Sequence, residues 1–184
     1  MKIAIDPGHG MSNSKAGVFD PGAVKKVGNE TFAEADITLR YGLTLKKLFQ
    51  DQGIEVFMTR SSSAEAAPVG GRAKRAANAG CTHFVSLHLN SSTSSQANGV
   101  EVEFREDQKD KPLAEKLLKK MLTITHLNNH GNDKRLDLAV LKFKPGPAVL
   151  IELGFITNDK DRQFLIDGNN RDAICKGIQA ALSS

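Results

Sequence analysis

Short apolar runs alternate along the chain with stretches of helical periodicity. Residues 2–5 read as a strand. Residues 34–50 read as a helix with Ile37, Tyr41, Leu45 and Leu48 on one face, and Gly53 supplies a stop. Strands are expected at 55–59, 84–89 and 100–104, the last with period-2 alternation. An Ala-rich helix is expected at 72–79. Pro112 suits a first helical turn, and Leu113, Leu117, Met121 and Ile124 follow in register. Residues 138–141 read as a further short strand. Residues 148–153 form a nearly continuous apolar run, the mark of a strand covered on both faces. Helices at 159–165 and 171–182 close the chain, the second with Ile174, Ile178 and Leu182 spaced by four. This alternation predicts an α/β class: a single layered domain over residues 1–184, with a mostly parallel twisted sheet flanked by helices.

Composition narrows the field. An ordinary globular mix at 184 residues is enough for one core. No stretch reaches the roughly 20 apolar residues a membrane-spanning helix needs, so no membrane insertion is expected. Met1 to Ile5 run straight into Asp6-Pro7-Gly8-His9-Gly10 without the apolar region of a secretion signal. The chain is therefore expected to be either a cytosolic product or a mature domain without its leader. A formal charge of +4 favours anionic surfaces without selecting one. Without Trp, with one Tyr and with dispersed Lys and Arg, the chain offers no stacking platform, and no nucleic-acid partner is expected. Cys81 and Cys175 lack any local motif and read as buried small residues.

Open α/β sheets place their chemistry beyond the carboxyl ends of their strands. The first strand exits into His9, the strand at 84–89 through His88 and Asn90, and the run at 148–151 into Glu152. Each has a plain alternative. His9, between two glycines, also admits a reading as a turn histidine, and His88 one as a satisfied core histidine. Glu34 reads as a first-turn acid complementing its helix dipole. Glu152 is harder to set aside, because an unpaired carboxylate ending an apolar run is costly. It needs either a cation or an open strand end. Two histidines with a carboxylate make a donor set suited to zinc. His126 and His130 are four apart, but Asn128, Asn129 and Gly131 argue that the helix has already ended, which speaks against a second metal site. Arg60 and Arg72 are either structural or contacts for acidic groups of a substrate. Asn90 either orients a ligand or caps a loop.

Several segments together resemble the zinc-dependent N-acetylmuramoyl-L-alanine amidases. They are Ile5-Asp6-Pro7-Gly8-His9-Gly10, Glu34-Ala35-Asp36-Ile37, Val56-Phe57-Met58-Thr59-Arg60 and Arg72 with Ala76-Ala77-Asn78. Next come Phe84-Val85-Ser86-Leu87-His88-Leu89-Asn90, Gly99-Val100-Glu101-Val102 and the run from Pro147 to Asn158. The resemblance implies that His9, Glu34 and His88 bind Zn2+ and that Glu152 is the catalytic carboxylate. It also implies hydrolysis of the amide between N-acetylmuramic acid and L-alanine in peptidoglycan. Met11 stands where the family often has a second glycine, and the segment 12–32 is somewhat long.

The expected setting is a monomeric phage endolysin, released from the host cytoplasm to the cell wall. The alternatives are the catalytic domain of a secreted bacterial autolysin, or a zinc peptidase or deacetylase of wall fragments. A wall-binding module with a decayed site is disfavoured by the presence of all four candidate residues.

Overall fold

The computed structural model describes residues 1–183. In chain order the elements are β1 (Lys2–Pro7), β2 (Gly10–Met11), β3 (Phe19–Asp20), β4 (Val24–Val27), β5 (Glu30–Ala33) and α1 (Glu34–Asp51). There follow β6 (Glu55–Met58), α2 (Val69–Asn78), β7 (His83–Asn90), β8 (Val100–Phe104), α3 (Lys111–Thr125) and β9 (Asn129–Lys134). A 3-10 turn at Val140–Lys142 precedes β10 (Ala148–Phe155), α4 (Asp159–Ile166) and α5 (Gly168–Ser183).

Six strands form one sheet in the order β6-β1-β7-β10-β8-β9. The four from β6 to β10 run parallel, and β8 pairs antiparallel with β10. The expected α/β architecture with a mostly parallel sheet is therefore observed. Strand alternation sends Ile3, Ile5, Val85, Leu87, Val149 and Ile151 to one face. There they meet the apolar stripes of α1, α3 and α5: Tyr41, Leu45 and Phe49, then Leu117 and Met121, then Ile174 and Ile178. Ala4, Phe84, Ala148 and Leu150 face the other way, against α2 and the 3-10 turn. Cys81 and Cys175 are buried free thiols, as expected. Among the described residues no helix is long and apolar enough to cross a membrane.

Two expectations need correction. Residues 138–141 are not a strand: Val140 and Leu141 are buried in the 3-10 turn. Both edges of β10 are already occupied, by β7 and β8, so this apolar run has no free edge there and closes over the sheet instead. Conversely, the polar segment Asn129–Lys134 is a strand, paired in parallel with β8. Its periodicity is silent because it is an edge strand with little to bury, and polar edges discourage further pairing.

On the α2 side of the sheet lies a buried polar knot. The Asp6 carboxylate accepts from Arg72 Nη1 at 2.8 Å, Thr59 Oγ1 at 2.5 Å and Ser86 Oγ at 2.7 Å. Burial alone would raise the pKa of Asp6, but the Arg72 charge and the two hydroxyl donors outweigh it and hold the acid below its usual value. A depressed acid stabilises the fold above the ordinary aspartate range, near about pH 4, and that contribution is lost as pH falls further. Arg72→Ala would leave Asp6 charged and unpaired in the interior. The expected cost is about 3–5 kcal/mol, measured as a lowered urea midpoint with an unchanged slope.

Candidate metal centre

Glu34, the first residue of α1, is 3% exposed and reaches between two imidazoles. Its Oε2 lies 3.1 Å from His9 Nε2, and its Oε1 lies 2.9 Å from His88 Nδ1. Two main-chain donors hold the same carboxylate: Ala23 N on Oε2 at 2.8 Å and Leu89 N on Oε1 at 3.0 Å. Burial would raise its pKa, but the hydrogen bonds from His88 and His9 dominate and keep it far below the usual carboxylate range. Burial likewise opposes charge on His9, and the carboxylates of Glu34 and Asp20 overcome it, so the His9 pKa is raised. The two rings meet edge to face with centroids 5.0 Å apart.

His9, Glu34 and His88 each offer one ligand atom, and all of these lie within 4.8 Å of one another. Donors about 2.0–2.1 Å from one tetrahedral ion would stand roughly 3.3 Å apart, a spacing to which ligand atoms already within 4.8 Å of one another can close. The donor chemistry and the spacing therefore fit a divalent metal. Glycines make the room. A Cβ on Gly22, which has φ +66°, would sit 2.6 Å from both Glu34 Oε2 and His9 Cδ2. A Cβ on Gly8 would strike the His88 ring at 2.4 Å.

Register brings Glu152 to the same rim. On β10 it pairs with His88 of β7 on one side and Glu101 of β8 on the other. Its Oε2 is enclosed without a hydrogen-bond partner. Burial first, then the charges of Glu34, Glu103 and Glu101, push its pKa well above the ordinary value. Neither possibility left by the sequence is met: among the described residues Glu152 has no ion-pair partner, and it lies inside β10, three residues before the strand's end, with its carboxylate enclosed.

The two arginines prove structural. Arg60 donates from Nε to Pro7 O and from Nη2 to Gly8 O and Ala35 O, at 2.7–3.0 Å. Arg72 donates to Pro7 O and His9 O at 3.0 and 2.7 Å. Between them they tie the loop carrying His9 to the start of α1 carrying Glu34. Burial and the neighbouring Arg72 push the Arg60 pKa down to about 10. The clamp also holds His9 at φ +61°, a conformation that costs a non-glycine residue of order 1–3 kcal/mol and persists only where its surroundings enforce it. Asn90 caps a loop, accepting from Ser91 N at 2.8 Å, and donates to Glu101 Oε2 at 3.3 Å. His126 ends α3 in a left-handed conformation, and His130 lies against Phe155; among the described residues neither belongs to a group of side chains placed to share a metal ion.

A family model for N-acetylmuramoyl-L-alanine amidase matches residues 3–184. The chain belongs to the N-acetylmuramoyl-L-alanine amidase family. The probable cell wall amidase LytH of Staphylococcus epidermidis is 33% identical over 186 residues, covering 99% of this chain and 58% of LytH. The chain thus spans little more than half the length of that curated relative. The catalytic domain of CwlV, an N-acetylmuramoyl-L-alanine amidase from Bacillus (Paenibacillus) polymyxa var. colistinus, is 28% identical. It matches with a TM-score of 0.87, covering 99% of this chain and 96% of that one. The CwlD amidase of Clostridioides difficile, solved in complex with the GerS lipoprotein, is 29% identical with a TM-score of 0.85 over 99% and 98%.

Sequence reasoning missed Asp20, whose Oδ2 lies 3.0 Å from His9 Nδ1. It sits in the long segment that reads only as a departure from the amidase pattern. The one local hint is Asp20-Pro21-Gly22, a turn signature that explains itself without a site. Because Gly22 leaves no space for a side chain, Gly22→Ala is expected to displace His9 and Glu34 and to lower bound divalent metal well below one ion per chain by elemental analysis. Metal content equal to wild type would show that the cradle has room to spare.

Proposed function

We propose that residues 1–184 form the catalytic domain of a zinc-dependent N-acetylmuramoyl-L-alanine amidase, hydrolysing the amide between N-acetylmuramic acid and L-alanine in peptidoglycan. One observation carries this reading: a carboxylate set between two imidazoles, with a second, unpartnered carboxylate on the adjacent strand. His9, Glu34 and His88 would hold the ion. Two imidazole nitrogens and one carboxylate suit zinc and leave a coordination position open, whereas calcium and magnesium favour all-oxygen sites. When bound, zinc supplies Lewis acidity, polarising the scissile carbonyl and bringing the pKa of a water towards about 7.

Glu152 does the proton work. As water oxygen bonds to the lactyl carbonyl carbon, Glu152 takes a proton from that water. As the carbon–nitrogen bond breaks, Glu152 returns the proton to the departing amine of L-alanine. Its enclosure suits this cycle, because burial and neighbouring carboxylates raise the proton affinity of its conjugate base. One chain supplies all four groups, which supports action as a monomer.

The likeness to the LytH cell wall amidases favours a bacterial cell wall amidase over the phage-lysin setting expected from the sequence. The compartment we infer is accordingly the wall outside the cytoplasmic membrane.

Glu152→Ala should retain zinc and lose about 10²–10⁴-fold in hydrolysis of purified peptidoglycan, while His88→Ala should lose zinc itself. Near-normal turnover by Glu152→Ala would remove the role assigned to that residue. Product analysis should show new alanine amines and intact glycan chains. Released acetate, or amines from within the peptide, would instead identify a deacetylase or a peptidase.

A further inference from the structure

The turn Asp20-Pro21-Gly22-Ala23 wraps the candidate metal centre from outside. Gly22 N donates to Asp20 Oδ1 at 2.9 Å, and Ala23 N donates to Glu34 Oε2. Asp20 Oδ2 receives two contacts, from His9 Nδ1 at 3.0 Å and from Asn13 Nδ2 at 2.6 Å. Asn13 Oδ1 in turn accepts from Arg72 Nη2 at 2.9 Å, and Arg72 is the buried partner of Asp6. A continuous chain of hydrogen bonds therefore runs from the Asp6–Arg72 pair, through Asn13 and Asp20, to the outer nitrogen of His9.

We infer that Asp20 is a positioning residue for the metal centre, holding His9 in the tautomer and ring orientation that aim Nε2 at the ion. With a proton on Nδ1 committed to Asp20, Nε2 lies on the inner side of the cradle, 3.1 Å from Glu34 Oε2, and is the nitrogen that would give up its own proton and turn its lone pair to an ion. A carboxylate behind a ligand imidazole also makes that imidazole a stronger donor, and loss of such a partner typically weakens metal binding by about 10–100-fold. Asn13 and Gly22 N matter because they occupy two further acceptor positions of Asp20, one on each oxygen, and stop its carboxylate from turning away. The long segment 12–32 thus becomes part of the metal centre's support instead of a neutral insertion.

This inference rests on the metal-centre reading above, and metal binding separates the two. Zinc affinity would be measured by competition with a chromophoric chelator on wild type, Asp20→Ala and Asp20→Asn, alongside visible spectra of the cobalt-substituted proteins. The thermal midpoints of the metal-free proteins would report the fold. Asp20→Ala is expected to bind zinc about 10–100-fold more weakly, with a changed cobalt spectrum and a metal-free midpoint close to wild type. Asp20→Asn keeps the shape and one acceptor oxygen, and is expected to fall between the two; it carries the test if the alanine variant fails to fold. Wild-type zinc affinity in Asp20→Asn together with an unchanged cobalt spectrum would overturn the positioning role. A wild type that takes up neither zinc nor cobalt would overturn the metal-centre reading itself.

Discussion

The Glu34 carboxylate lies where the helical layer and the sheet meet, and the rim is arranged around it. It begins α1, whose apolar face packs against the strands, so its position is inherited from the core. From there it takes four hydrogen-bond contacts, two from imidazoles on separate strand exits and two from main-chain nitrogens. A buried carboxylate so fully engaged remains ionised, the form in which it serves a metal ion. The helix N-terminus adds a favourable local dipole, so the plain reading of Glu34 as a first-turn acid and its place in the cradle are compatible.

Precision at this point depends on two buried guanidinium groups. Arg60 and Arg72 satisfy the carbonyls of Pro7, Gly8, His9 and Ala35, the main-chain oxygens flanking both His9 and Glu34. Unpaired carbonyls in the interior would be costly, and a loop with a non-glycine residue at positive φ would relax if it were left free. The clamp meets both demands. Only Arg72 has a carboxylate partner within ion-pair distance, Asp6 on β1, so the anchor of the site is also an anchor of the sheet.

Charge is distributed unevenly around the cradle. Glu34 is drawn down by its imidazoles, whereas Glu152, one strand away from His88, is driven up by burial and by the carboxylates around it. Two glutamates on one rim are thus separated in proton affinity by their surroundings alone. A divergence of that kind lets one acid act as a permanent anion while the other exchanges protons.

Much of this was legible in the chain. Apolar runs at β1, β7 and β10 and the stripes of α1, α3 and α5 follow directly from residue periodicity, because each side chain's exposure is dictated by its own element. His9, just past β1, and His88 and Glu152, in the carboxyl-terminal halves of β7 and β10, were recognisable from the same strand pattern. The structure also places Glu34, singled out from the sequence by family resemblance, between the two histidines. Other features depended on pairing between distant segments. The edge strand β9 carries no apolar alternation, and the apolar pair Val140 and Leu141 lies in a 3-10 turn packed on the sheet, not in a strand of it. Asp20 and Gly22 look like turn residues, and only chain crossing sets them behind His9 and Glu34. Local sequence determined which segments were strands and helices and which ionisable groups stood at their ends. Tertiary structure alone decided which of those groups touch, since hydrogen bonds spanning 54 or 63 residues depend on strand order and register, which no local period encodes.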